Sequence, residues 1–191
     1  MKAFFRELII TVLLALVVFF ALRFTIDTVI VIGISMEPSF HTGQRILISK
    51  VTYRMHEPER GDVIVFSPVN GEEKDLIKRI IALPNDTVEV KDNAVYVNGK
   101  RLKEPYIKNT PRYHLDELKV PVDSYFVLGD NRNQSNDSHN GWVVPRQNII
   151  GKAWLSIWPP PEWGLVPRYA LQEQLASAGK TYTANCHLLY I

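Results

Sequence analysis

Cysteine is nearly absent from this sequence of 191 residues, in which Cys186 is the one example. A single cysteine excludes an intrachain disulfide and a cysteine-rich metal site. The charges nearly cancel, with 22 Lys and Arg against 20 Asp and Glu, and no basic run is interleaved with aromatic residues. We therefore expect no nucleic-acid partner. Hydrophobic residues make up 46% of the chain, which excludes a disordered protein and suffices for one domain with a sizeable core.

Long helical periods are also missing after residue 30. The chain there consists of short runs rich in β-branched and aromatic residues, separated by glycine, proline or asparagine. We predict strands over residues 28–34, 45–49, 62–67, 76–82, 87–90, 94–97 and 124–128. Because no helical crossovers are available to build a parallel sheet, the predicted fold class is mainly β, with mostly antiparallel strands.

One long hydrophobic run is present near the start of the chain. Residues 8–22 carry no charge, and the apolar residues that follow extend the run towards the ~20 residues that cross a bilayer. Lys2 and Arg6 precede the run, as they would in a cleavable signal peptide, but we find no clean Ala-x-Ala processing site. We therefore expect a transmembrane anchor over residues 8–27. The positive-inside rule places residues 1–7 in the cytoplasm and the rest of the chain outside.

Ser35 and Lys78 are the candidate catalytic residues. Ser35 lies in the turn-like segment Gly-Ile-Ser-Met-Glu-Pro-Ser, and Lys78 lies in a predicted strand, where it shares a face with Leu76 and Ile80. Burial disfavours the ammonium form and lowers the pKa of a lysine, which allows the amine to act as the base that a serine nucleophile needs. A turn serine bonded to its own backbone and an edge lysine in water are the ordinary alternatives. Together the two residues predict a serine–lysine dyad.

A polar loop, residues 129–141, follows directly after the predicted strand 124–128. Its ordinary interpretation is a solvated loop with Asx turns. A calcium loop fits poorly, because Gly141 stands where the closing glutamate would be. Ser135, Asp137 and His139 are alternate residues of one loop, and such residues seldom converge in the geometry of a serine–histidine–aspartate triad.

With these segments in view, the chain resembles the bacterial type I signal peptidases, membrane-anchored serine proteases that remove signal peptides from exported proteins. The resemblance runs from the anchor to about Trp158. Its motifs come in the family's order: Ser35-Met36-Glu37-Pro38, then residues 60–66, residues 78–86 and residues 129–138. Any one of these motifs is weak evidence for the family. Four motifs in the family's order, on an anchored β domain, are specific to it.

The resemblance implies a role for each matching residue. Ser35 is then the nucleophile, Lys78 the general base, and Ser135 a hydroxyl that orients the lysine amine. Asp137 and Arg79 belong to the supporting polar network. No metal or organic cofactor is expected.

Two positions depart from the family's common pattern. Many members carry a serine at the position of Gly33, where the hydroxyl helps to form the oxyanion hole. Gly33 has no hydroxyl to donate. The Ser35 amide is one expected donor to the oxyanion, and the identity of the second donor stays open. The position of His139 is arginine in much of the family, and histidine there resembles the cyanobacterial and thylakoid forms. We expect His139 to support Asp137 as a partner.

The family binds its substrate in an extended form, along an exposed strand edge. In this chain the walls of such a groove correspond to residues 29–34 and 75–78. The candidate substrate-binding residues are Val31, Ile32, Met36 and Ile77, and ordinary strand core is the alternative interpretation of all four. The expected partners are preprotein signal peptides and the lipid bilayer. The expected location is the plasma membrane, with a thylakoid membrane as the alternative.

Three other functions stay open at this point. A self-cleaving protease of the repressor type shares the chemistry, but it would carry a DNA-binding segment instead of an anchor. A non-catalytic anchored β module gives no reason for a lysine on an apolar face beside a serine turn. A eukaryotic organellar signal protease is the third. For the anchored signal peptidase we expect an outer β domain over residues 28–164. The tail over residues 165–191 has no known role, and one short helix is expected near residues 169–178.

Overall fold

The structure of the protein, a computed structural model, describes residues 2–69, 71, 73–169 and 171–176. The α-helices in these ranges are α1 (Lys2–Thr25), α2 (Thr52–Met55) and α3 (Leu171–Ala176). The strands are β1 (Ile26–Ile30), β2 (Arg45–Ser49), β3 (Val63–Phe66), β4 (Leu76–Ala82), β5 (Thr87–Lys91), β6 (Ala94–Val97), β7 (Lys100–Arg101), β8 (Leu115–Lys119), β9 (Ser124–Leu128), β10 (Val144–Pro145), β11 (Ile149–Trp158) and β12 (Gly164–Leu165). Cys186 lies outside the described residues.

The strands form two sheets in which every pairing is antiparallel. The larger sheet has the order β1-β2-β11-β3-β4-β9-β10, with β12 added beside β11. The smaller sheet has the order β7-β6-β5-β8. The prediction of a mainly β, mostly antiparallel fold after an apolar helix is therefore confirmed.

The helix α1 is the candidate membrane span. Its segment Phe4–Thr25 has a mean hydropathy of 2.6, and none of it is buried against the rest of the protein. A signal sequence passes the same test. The helix begins before the predicted anchor and ends at Thr25, because Ile26 and Asp27 already belong to β1 and pair with β2.

The strands of the structure differ from the predicted ones at several places. The first strand was expected to reach residue 34, but β1 ends at Ile30 because the chain turns away at Gly33, where φ is 92°. The strand β8 was not predicted, since its acidic and basic residues hide the strand pattern. The longest strand, β11, was not predicted at all. Its pairing with β2 and β3 stabilises it despite the glycine and lysine in its sequence.

The centre of the larger sheet is buried on both faces. In β3 the side chains of Val63 and Val65 pack in one apolar cluster, and those of Ile64 and Phe66 pack in another. A third cluster lies between the two sheets and includes residues of β4, β5, β6 and β9. The strand β4 is therefore held firmly, because it pairs with β3 on one side and with β9 on the other.

This topology brings the three sequence segments of interest together. Lys78 and Arg79 lie in β4, opposite Ile64 of β3 and Leu128 of β9, respectively. The polar loop begins at the end of β9, directly after Leu128. Ser35 lies in the turn that follows β1. The candidate catalytic residues thus meet at the middle of the larger sheet.

Candidate active site

Ser35 and Lys78 are in direct contact. The Nζ atom of Lys78 donates a hydrogen bond to Ser35 Oγ at 2.9 Å and another to the carbonyl oxygen of Ile77 at 3.0 Å. The lysine is only 3% exposed. Burial of this kind disfavours the charged form of an amine, and a neutral amine at hydrogen-bond distance can accept the serine proton.

Hydrogen bonds from the polar loop fix the turn that carries Ser35. The N–H of Asn131 donates to the carbonyl oxygen of Ser35 at 2.9 Å, and its side-chain amide donates to the carbonyl oxygen of Ile34 at 3.1 Å. In the described part of the chain, the Ser35 N–H has no hydrogen-bond acceptor. It is therefore available to donate to an oxyanion formed beside Ser35 Oγ.

Glycine is favoured at position 33 by the backbone. Its φ of 92° is a conformation that residues with a Cβ rarely adopt. The hydroxyl of Thr42 donates to the carbonyl oxygen of Gly33 at 2.8 Å and holds the turn in this shape. The departure from serine at this position thus has a conformational reason.

Gly129 lies between the two serines of the site. A Cβ atom at Gly129 would lie 2.5 Å from the carbonyl oxygen of Ser35 and 2.7 Å from the Cβ of Ser135. The Oγ atom of Ser135 is buried and has no hydrogen-bond partner among the residues that the structure describes. Ser135 is therefore brought next to the main chain of Ser35, while its expected hydrogen bond to the Lys78 amine is not formed.

Asp137 holds Gly129 and His139. Its carboxylate is fully buried and accepts a hydrogen bond from the N–H of Gly129 at 2.8 Å. The same carboxylate lies 2.6 Å from His139 Nδ1 and accepts from the His139 N–H at 3.2 Å. The His139 ring also stacks on Tyr113, with ring centroids 4.2 Å apart. The Asp137–His139 pair expected from the sequence is thus in contact, and it is joined to the site through Gly129.

Substitution of His139 tests whether this pair supports the site. We expect His139→Ala to lower the melting temperature and turnover, because Asp137 loses a partner and Tyr113 loses its stacked ring. The loss of a hydrogen-bond partner of the buried Asp137 carboxylate lowers the free energy of unfolding by about 1–3 kcal/mol. His139→Arg should retain most of the activity, since a guanidinium also donates to Asp137 and stacks on a ring. An alanine variant with the parent's turnover and melting temperature would exclude a supporting role.

Arg79 does not contact Asp137 but pairs with Asp130. Its guanidinium makes two hydrogen bonds to that carboxylate, at 2.9 and 2.7 Å, and both side chains are fully buried. A third hydrogen bond runs to the carbonyl oxygen of Gly61 at 2.9 Å. Burial alone would lower the pKa of Arg79, but the hydrogen bonds and charge of Asp130 outweigh it and raise the pKa. Arg79 thus stays charged and links β4 to the start of the polar loop.

The roles of Asp130 and Asn131 were not predicted from the sequence. Both lie in the polar loop, but nothing in their local sequence separates them from the other polar residues there. Their roles depend on the pairing of β4 with β9, which places Arg79 opposite Leu128. Asp130 then meets the buried guanidinium, and Asn131 reaches the turn at Ser35.

A groove of about 420 Å³ opens beside the dyad. Ser35 and Lys78 both line it, and so do three of the predicted substrate-binding residues, Val31, Ile32 and Ile77. The fourth, Met36, does not line the groove; it is 1% exposed and packs in the core beneath it. The other lining residues are Val29, Ile30, Val65, Lys74, Asp75 and Leu76.

The walls of this groove come from two separate parts of the larger sheet. The strands β1 and β4 are not neighbours in the sheet, yet residues of both line the same cavity. Val65 of β3 lies between these walls. Ile32, just beyond the edge strand β1, is 71% exposed. A free edge beside an apolar groove is suited to an extended peptide. Within the described ranges, no group of three or more His, Cys, Asp or Glu residues is arranged to hold a metal ion.

Comparison with known proteins identifies similar chains. Residues 4–158 match the family described as "Signal peptidase, peptidase S26". The chain is 46% identical over 144 residues to the probable signal peptidase I-2 of Synechocystis, and the match covers 73% of this chain and 66% of the relative. It is 43% identical over 169 residues to the probable signal peptidase I-1 of the same organism, with 84% and 86% covered. Both relatives are cyanobacterial, which confirms the predicted resemblance of this chain to the cyanobacterial form.

A solved structure also aligns with this chain. It is a crystal structure of a signal peptidase I from Enterococcus faecalis V583, with a TM-score of 0.46 and 32% sequence identity. The alignment covers 51% of this chain and 97% of the other.

Proposed function

The chain belongs to the signal peptidase family, peptidase S26, and on that premise we propose that it is a signal peptidase I that cleaves signal peptides from preproteins with Ser35 and Lys78. The observation that carries this proposal is the 2.9 Å hydrogen bond between the two side chains at the wall of an apolar groove. The enzyme is a serine endopeptidase.

The dyad performs acylation as follows. Ser35 Oγ attacks the carbonyl carbon of the scissile peptide bond, and the neutral Lys78 amine accepts the hydroxyl proton. The Ser35 N–H donates to the oxyanion of the tetrahedral intermediate. When the carbon–nitrogen bond breaks, the Lys78 ammonium protonates the departing amine. The mature protein leaves, and the signal peptide stays as an ester on Ser35.

Deacylation uses the same groups. A water molecule attacks the ester carbonyl while Lys78 accepts one of its protons. The carbon–oxygen bond to Ser35 then breaks, and Lys78 returns the proton to Ser35 Oγ. Lys78 is buried, as is suitable for a base that accepts and returns a proton in both steps.

The groove selects an extended peptide with small side chains before the scissile bond. The exposed edge beyond β1 supplies backbone groups for pairing with the peptide. The apolar side chains of Val31 and Ile77 line the groove beside the dyad and suit it to small apolar residues of the peptide.

Cleavage of a preprotein that carries an Ala-x-Ala site tests this function. The purified protein is incubated with the preprotein, and the new amino terminus is sequenced. We expect one new terminus directly after the Ala-x-Ala site. A non-catalytic binding module would bind the preprotein and leave it intact, so an uncut complex would overturn the proposal.

The helix α1 anchors the protein with its start in the cytoplasm and the β domain outside. The support is the apolar span Phe4–Thr25 and the charges of Lys2 and Arg6 before its core. The anchor then holds the groove close to the membrane surface, where signal peptides emerge. The plasma membrane is the proposed location, and a thylakoid membrane is the alternative.

Protease treatment of intact right-side-out vesicles tests the orientation. We expect the added protease to digest the region after Ile26 and to spare an epitope placed before Lys2, because only the outer domain is accessible. Vesicles opened by detergent serve as the control, since both ends are then accessible. A protected β domain in intact vesicles would overturn the proposed orientation.

A further inference from the structure

The chain continues past the family match at residue 158 and folds back onto the β domain as a strap, residues 164–169 and 171–175. Its first residues form β12 beside β11, and the N–H of Val166 donates to the carbonyl oxygen of Trp154 at 2.9 Å. Leu171 is fully buried in the apolar cluster between the two sheets. The strap is therefore part of the packed domain.

The strap also has specific polar contacts with the smaller sheet and the chain after it. Lys100 Nζ donates to the carbonyl oxygen of Leu175 at 2.6 Å. The side-chain amide of Gln174 donates to the carbonyl oxygen of Lys103 at 3.1 Å and accepts from its N–H at 2.8 Å. These contacts fix the position of the strap residues that lie between them and β12.

Tyr169 of the strap covers the buried guanidinium of Arg79. The Arg79 Cζ atom lies 4.4 Å from the ring centroid of Tyr106 and 5.1 Å from that of Tyr169. The two tyrosine rings also contact each other, with centroids 4.6 Å apart. The carbonyl oxygen of Tyr169 would lie 2.9 Å from a Cβ at Gly61, whose own carbonyl accepts from Arg79. Tyr169 therefore contacts both the guanidinium and one of its hydrogen-bond acceptors.

Arg79 connects to both halves of the dyad. It is the neighbour of Lys78 in β4, so its position sets that of the lysine backbone. Its partner Asp130 is followed by Asn131, which binds the carbonyl oxygen of Ser35. A shift of the guanidinium is thereby transmitted to the base through the strand and to the nucleophile through the polar loop.

We propose that Tyr169 is a positioning residue for the Ser35–Lys78 dyad, acting through Arg79. This inference rests on the proposed function of the dyad. The ring excludes water from the Arg79–Asp130 pair, both of whose side chains have no exposed surface. Without the ring, water competes for the guanidinium, and the distance between Ser35 Oγ and Lys78 Nζ is less well defined.

Steady-state kinetics of three full-length variants test the proposal. We expect Tyr169→Ala to lower kcat about tenfold or more, since small misplacements of reacting groups have large effects on rate, while KM stays within about twofold. Tyr169→Phe should behave like the parent, because the ring makes the contacts. The matched control is Arg168→Ala, which removes an exposed ion pair with Glu59 from the same strap and should leave kcat unchanged.

Amide hydrogen exchange adds a readout that does not require activity. We expect faster exchange in β4 and at Asn131 in Tyr169→Ala, and parent-like exchange in the two other variants. If Tyr169→Ala does not fold, Tyr169→Leu takes its place in both measurements. A folded variant with the parent's kcat, or with reduced kcat but unchanged exchange in β4, overturns the proposal. If the parent itself does not cleave a preprotein, the proposed function fails, whereas exchange in β4 still tests the coupling to the strap.

Discussion

Ser35→Ala and Lys78→Met are each expected to lower kcat for preprotein cleavage by about a thousandfold or more. The serine variant lacks the nucleophile, and the methionine variant lacks the base while it keeps the length of the buried side chain. Both variants should retain the melting temperature of the parent to within a few degrees. Kinetics with a purified preprotein and thermal unfolding give the two measurements.

The double variant decides whether the two residues act as one unit. Because Lys78 acts only through the hydroxyl of Ser35, the double variant should be no slower than either single variant. Lys78→Arg should be as inactive as Lys78→Met, since a guanidinium does not lose its proton in proteins. Lys119→Ala is the matched control, because this exposed lysine lies in β8 of the smaller sheet and does not line the groove. Losses that multiply, or appreciable turnover by Lys78→Arg, would contradict the dyad.

Gly129→Ala is expected to lower kcat about a hundredfold or more. The added Cβ would lie 2.5 Å from the carbonyl oxygen of Ser35 and would overlap the side chain of Ser135. The atom of Ser35 that the Cβ would meet belongs to the backbone, so no change of side-chain rotamer relieves the clash and the turn must move. A displacement of about 1 Å at the nucleophile is enough for an effect of this size. The change is measured as kcat on a preprotein, beside the melting temperature.

Two further variants separate this clash from a general effect of alanine. Gly164→Ala is the matched control, since a Cβ there meets no atom within 4 Å, and it should cleave at the parent rate. Removal of the Ser135 hydroxyl in the Gly129→Ala background should restore little activity, because the contact with the Ser35 carbonyl is still present. A Gly129→Ala enzyme with the parent's kcat would show that the close approach has no role in positioning Ser35.

Strands with a strong local pattern could be predicted from the sequence. Residues 45–49, 76–82, 94–97 and 124–128 form strands with the predicted bounds, because apolar residues dominate each run. The strands β8 and β11 were missed for different reasons. Charged residues mask the pattern of β8, which lies at the edge of the smaller sheet. Contacts with β2 and β3, distant in sequence, stabilise β11.

The sequence alone determined the fold class, the apolar span and the chemical types at the candidate site, since these depend on local composition and order. The arrangement of the site depends on tertiary structure. Ser35 and Lys78 are 43 positions apart, and they meet because the turn after β1 lies against β4. Asp130 and Asn131 acquire their roles only when β9 pairs with β4. Tyr169 reaches Arg79 only because the strap folds back. Contacts between segments so far apart arise from packing, which no local pattern encodes.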